Sequence, residues 1–401
     1  MATVSVDRKG IAMRKIRLSF GIAALLLAFC SCANHEVSTE SNHDRAASAN
    51  ENSQKIPDLP DDSHIDSLQG FKAMGTATLS GSIDPIATKL NPVEKNPIPF
   101  DAFHNVSFSR SGKHLAVGIG TGHVAIFEIG GAEKTRKIAA HDNWAFSVLF
   151  FDEKTMATAG GDNLIKFWDL TDADKPPRIL RGHEKDVHAI AFTMDRKTMV
   201  SSSDDKSAKI WDVESGRVLK TLTGHSQQIP SIAISNDGRR VATGSRDGTV
   251  KIWDGKTGEN LHTFVGHEKD VLSVHFTSNG QKVLSGSYDG TIRVWDSDMG
   301  YSVRKIDGHV GSVVSIDISP DDKLVASVDD KQIRISTIEK YTKPKVKNLV
   351  DDEAEQISFI RYSPNGKTLA VTTTKSRVLI VNAETLEIEK SLSLPKEDPN
   401  K

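Results

Sequence analysis

Cysteine is almost absent: the 401 residues contain two, Cys30 and Cys32, both close to the N-terminus. No intrachain disulfide can therefore staple the remainder, whose stability must come from packing. Neither sign of charge is in excess, with 51 Lys and Arg against 53 Asp and Glu. The clustered basic footprint of a nucleic-acid binder is missing, which argues against that class. Also missing are a Gly-rich phosphate loop, His-Glu-x-x-His, Gly-x-Ser-x-Gly and any cofactor fingerprint, so no motif points to an enzyme, a metal or a cofactor. With 37% hydrophobic and 26% charged residues, the composition is that of an ordinary globular protein.

What is present is a period. Trp-Asp pairs recur at Trp168-Asp169, Trp211-Asp212, Trp253-Asp254 and Trp295-Asp296, and His141, His183, His225, His267 and His309 follow one another every 42 residues. Two markers locked to one interval denote a repeated supersecondary unit. Within the unit starting at Gly266-His267, β-favouring residues run over 271–276 and 282–287, separated by the turn Ser278-Asn279-Gly280. Asp289-Gly290 marks a tight hairpin. Residues 291–295 and 301–306 complete a four-stranded antiparallel meander. Such sheets cannot cover both apolar faces alone and stack radially against their neighbours.

These residues resemble the WD-repeat family of β-propellers, whose repeat carries Gly-His at one end and Trp-Asp at the other. Strong copies begin at His141, His183, His225 and His267; a degenerate copy begins at His309, with Ser336 in the Trp position. Weaker copies lie at 106–129, with Phe127 in that position, and at 357–394, with Val381 there. The resemblance implies an all-β, seven-bladed propeller over 101–394. Residues 386–394 are expected to supply the last outer strand, with 76–80 a competitor for that edge.

The resemblance also implies a hydrogen-bonded set within each strong blade: His141, Asp162 and Trp168; His183, Asp205 and Trp211; His225, Asp247 and Trp253; His267, Asp289 and Trp295. Recurrence at fixed positions favours a structural role for these His/Asp pairs over catalysis or metal binding. The outer units lack the set, since Asp351 stands near the His position and Lys375 near the Asp position. Propellers of this family present one face to partners. Carried over by position, that face includes Trp144, Phe146, Asp186, His188, Gln228, Pro230, Asp270, Leu272, Ser312 and Val314. The residues before the hairpin aspartates, Gly161, Asp204, Arg246, Tyr288 and Asp329, join them. Trp, Tyr and Arg are the types that anchor interfaces, although Trp144 and Phe146 also suit packing between blades. The aspartates suggest a protein or peptide partner bearing Lys or Arg.

Ahead of the repeats, a basic stretch at 13–17 precedes an apolar run at 18–29, too short to span a bilayer as a helix. That order is expected of an export signal over 1–31, with Met13 a second candidate start. The following Cys-Ser-Cys resembles the lipobox of bacterial lipoproteins. Cys32 has the small Ser31 before it and is the expected lipidation site; Cys30, with Leu27 three residues back, is the alternative. Residues 32–70 are polar and expected to be a disordered tether. Residues 71–100, rich in proline, form an N-terminal extension, and 395–401 a tail. The expectation is a monomeric, non-enzymatic scaffold, lipid-anchored in a bacterial envelope or secreted, touching membrane only through its lipid. A propeller enzyme or carbohydrate-binding module using the central channel is one alternative. An intracellular scaffold, with the signal unused, is the other.

Overall fold

The computed structural model describes residues 103–130 and 135–394. The segments expected at 1–31, 32–70 and 71–100, with Cys30 and Cys32, and the tail at 395–401 lie outside the described residues.

Twenty-eight strands form seven four-stranded antiparallel sheets, each built from one contiguous stretch of chain. The sheets cover 103–139, 145–180, 187–223, 231–264, 271–306, 315–348 and 357–393, and together make a seven-bladed propeller. In the fifth blade the strands are Val271–Phe276, Lys282–Ser287, Ile292–Asp296 and Ser302–Ile306, within a residue of the bounds expected from the sequence. The turns obey their local chemistry. Gly280 and Gly290 both adopt positive φ, which a side chain would oppose. The outer strand of the second blade, Arg178–Leu180, is three residues long because Pro176 and Pro177 directly precede it and offer no N–H.

Blades pack face to face through apolar side chains, most of them on the two middle strands and the rest on or beside the flanking strands. Val200, Ile210 and Leu222 of the third blade close on Ile229, Ile232, Val241 and Trp253 of the fourth. The same contact shuts the ring: Val106, Leu115, Ile119 and Phe127 of the first blade pack on Ala370, Val378, Ile380 and Leu392 of the last. The last blade takes its outer strand, Ile388–Ser393, from its own repeat. Residues 76–80 lie outside the described residues, and the blade has four strands without them.

Two further series of bonds join the blades. The innermost strand of each blade is a sheet edge whose outward N–H groups lack a ladder partner. A polar side chain from the preceding blade meets several of them. Val274 N–H donates to Ser231 Oγ (2.9 Å), Ile316 N–H to Ser273 Oγ (3.3 Å), Ile360 N–H to Ser315 Oγ (3.3 Å) and Tyr362 N–H to Asp317 Oδ2 (2.7 Å). At the rim, the outer-strand residues at one register position are Arg136, Arg178, Lys220, His262, Arg304, Lys345 and Lys390. Most of them reach carbonyls in the next blade's turn. Arg136 donates to Leu170 O and Arg178 to Val213 O, both at 2.7 Å. His262 donates to Asp298 O (2.9 Å), Arg304 to Thr337 O (2.8 Å) and Lys345 to Glu384 O (2.7 Å).

Candidate interaction face

Each strong blade carries a directed relay. In the fourth, Trp253 Nε1–H donates to Thr243 Oγ1 (2.9 Å), Thr243 O–H donates to His225 Nε2 (2.7 Å), and His225 Nδ1–H donates to Asp247 (2.8 Å). The order follows from the chemistry: a carboxylate can only accept, so Nδ1 bears the proton and Nε2 must accept. Trp211, Ser201, His183 and Asp205 repeat it, as do Trp295, Ser285, His267 and Asp289. Trp168, Thr158, His141 and Asp162 form the second-blade version, in which Lys166 also donates to Asp162 (2.8 Å). Burial would raise these aspartates, but hydrogen bonds from histidine and neighbouring donors outweigh it. Asp162, Asp205 and Asp247 sit far below the usual carboxylate range, and Asp289 is held at about 2. Burial keeps His141 and His267 below the ordinary imidazole value against the pull of their aspartates.

The sixth blade corrects one expectation. Asp329 was placed on the exposed ring, but it is buried and accepts from His309 Nδ1 (3.0 Å), with Ser327 donating to His309 Nε2 (2.7 Å). Its hairpin is one residue shorter, so the network carboxylate comes earlier, and Asp330 takes the outward position. Ser336, in the Trp position, is buried, and its hydroxyl has no partner among the described residues. The seventh blade lacks the His–Asp set, as expected, and carries a different one. Glu355 accepts from Thr373 (2.6 Å) and from Arg377 Nε and Nη2 (2.8 and 2.6 Å). Lys375 pairs instead with Asp352. Neither Glu355 nor Arg377 could be found by matching the His and Asp positions; a carboxylate two residues before the strand start was the available signal.

On the same face, one residue per blade rings the channel mouth: His104, Phe146, His188, Pro230, Leu272, Val314 and Ser358, all half-buried. The first three are drawn together with Trp144. Trp144 and Phe146 lie parallel, 5.9 Å apart, His104 meets Trp144 edge-on at 4.6 Å, and His188 lies against Phe146 at 4.5 Å. These rings belong to three successive blades, so Trp144 and Phe146 both pack the blades and wall the mouth. His188 Nε2–H donates to Asp204 Oδ1 (2.7 Å), which is buried. Burial, with His188 nearby, pushes His104 down to about 4, and its Nε2 has no partner among the described residues.

The other side of the mouth is charged. Burial raises Asp270 against the opposing Arg246, and raises Asp330 together with the adjacent Asp329. The Tyr288 phenol is pushed up by burial and by both carboxylates. Gln228 and Leu272 are half-buried nearby, and Gln228 O accepts from Arg246 N–H (3.0 Å). On the aromatic side, Asp186 is raised by burial, with His188 opposing and Asp204 reinforcing the shift. Among the described residues, no group of three His, Cys, Asp or Glu side chains could hold a metal ion.

A family model described as the WDHD1 first WD40 domain matches residues 140–399, from the residue before His141 onward and over well more than half of the chain. A Dictyostelium discoideum protein described as "WD repeat-containing protein 3 homolog" is 29% identical over 102 residues, 22% of this chain and 11% of that relative. The chain thus spans a small part of the curated relative it matches.

Proposed function

Because the chain belongs to the WD40 family of β-propellers, we propose that it is a non-enzymatic scaffold that binds a protein or peptide partner at the channel mouth, exported and anchored by lipid on Cys32 or Cys30. Members of this family generally serve as interaction scaffolds. The observation that carries the reading is the chemistry of one face. Aromatic rings from three blades and a set of half-buried carboxylates crowd the mouth. Large rings in rigid surroundings anchor interfaces at low entropic cost, and charges at a rim select and orient partners. The basic stretch, short apolar run and Cys-Ser-Cys ending support export and acylation.

Two experiments test it. Affinity purification from solubilised membranes should recover a specific partner that is lost with Arg246→Ala plus Tyr288→Ala; turnover of a small substrate by the purified chain would overturn the scaffold reading. Labelled fatty acid should be incorporated into the full-length protein and lost with Cys32→Ser, or with Cys30→Ser if that is the acylated position. Labelling that survives both changes contradicts the anchor.

A further inference from the structure

We propose, on the premise that the channel mouth is the partner-binding surface, that it reads two features of an extended partner segment. A flat apolar side chain (aromatic or proline) lies against Trp144 and Phe146, and a Lys or Arg side chain enters between Asp270 and Asp330. The two anchors sit on different sides of the ring, one on the first three blades and the other on the fifth and sixth.

The cationic anchor follows from an unpartnered carboxylate oxygen. Tyr288 N–H donates to Asp270 O (2.9 Å), and the carboxylates of Asp270 and Asp330 both raise the Tyr288 phenol. Arg246 is the cation that faces Asp270 and Tyr288. Lys331, the cation nearest Asp330, is committed elsewhere: its Nζ donates to the carbonyls of Asp352 (2.6 Å), Glu353 (3.2 Å) and Glu355 (2.5 Å). Asp330 Oδ1 is thus left buried with no hydrogen-bond partner among the described residues. A buried carboxylate oxygen without a donor is costly. A side chain that brings both charge and donors relieves that cost, whereas an anion would add to it.

The apolar anchor follows from rigidity. Trp144 and Phe146 are parallel within 7° and are clamped by His104 on one side and His188 on the other. His188 is itself held by Asp204. The wall therefore loses little side-chain freedom when a flat group covers it. The buried His104, neutral at pH 7, keeps this wall uncharged.

The probes are blocked hexapeptides carrying one Lys and one Phe, two to four residues apart, and their single replacements Lys→Ala, Lys→Glu and Phe→Ala, titrated by NMR against the described propeller in the full chain. At one spacing, the Lys/Phe peptide should bind about tenfold more tightly than its Lys→Glu version and several-fold more tightly than the Phe→Ala version. Asp270→Asn with Asp330→Asn should abolish the preference for Lys and keep that for Phe. Trp144→Leu with Phe146→Leu should do the reverse, and amide spectra of both variants report whether the fold is retained. Binding indifferent to either replacement, no binding at any spacing, or preferences that persist in the matching variants would overturn the proposal. If the affinity-purified partner still depends on Arg246 and Tyr288, the scaffold reading survives that failure; if it does not, both fall.

Discussion

At the scale of single residues, the repeated Trp–Ser/Thr–His–Asp relay is a chain in which each member satisfies the next. Replacing Trp253 by Phe keeps most of the buried ring but removes the N–H that donates to Thr243 Oγ1. A cost of about 1–3 kcal/mol follows, read as a fall of a few degrees in melting temperature, with no change in partner affinity. An unchanged melting temperature would count against the relay. Buried histidines set a pH dependence. His104 and His275 are both held at about 4 by burial, so the folded chain keeps them neutral while the unfolded chain protonates them near 6.5. The unfolded state then binds more protons between these values, and stability must decline as pH falls from about 6.5 toward 4. Asp289 adds a second loss below its ordinary 3.8, as pH falls toward about 2. Thermal unfolding at pH 7 and pH 5 should show the first decline, and His104→Gln with His275→Gln should make it shallower. A flat profile over that range would contradict the assignment. The relay histidines and aspartates of the four strong blades were legible in the sequence because the histidines recur every 42 residues and the aspartates every 42 or 43. Asp329 and Glu355 were not, since a shortened hairpin and a Glu–Arg substitute break that register.

Among elements, the strands follow from alternation and turn residues, and the fifth blade was legible almost to the residue. The bonds between blades were not. The basic outer-strand residues recur with the period, but their purpose depends on the neighbouring turn, which only packing brings alongside. Arg304 donates to the carbonyls of Thr337, Ile338 and Lys340. Arg304→Ala should lower stability by about 1–2 kcal/mol, seen as a lower urea midpoint with an unchanged m-value. A shift no larger than that of an exposed substitution would show that the rim clasp contributes nothing. The mouth was partly legible. Position within the repeat placed Trp144, Phe146, Arg246 and Tyr288 on one face, whereas the contact of His104 with Trp144 joins the first and second blades and has no counterpart in the other repeats.

For the whole molecule, the absence of cysteine from the repeats leaves packing and inter-blade bonds to hold a ring closed by apolar contact between its first and last blades. Every described strand lies within 103–393. A chain beginning near residue 97 should therefore fold with the melting temperature of the full protein; a large drop would mean that earlier residues complete the ring. On the scaffold reading proposed above, the surface of the mouth rather than a reactive side chain meets the partner. The most direct measurement places a photo-crosslinking amino acid at Leu272, on the mouth, or at Lys197, on an exposed turn between the inner two strands, in cells that make the protein. A discrete adduct from position 272 and none from position 197 is the predicted result. An adduct from 197 alone would contradict the account.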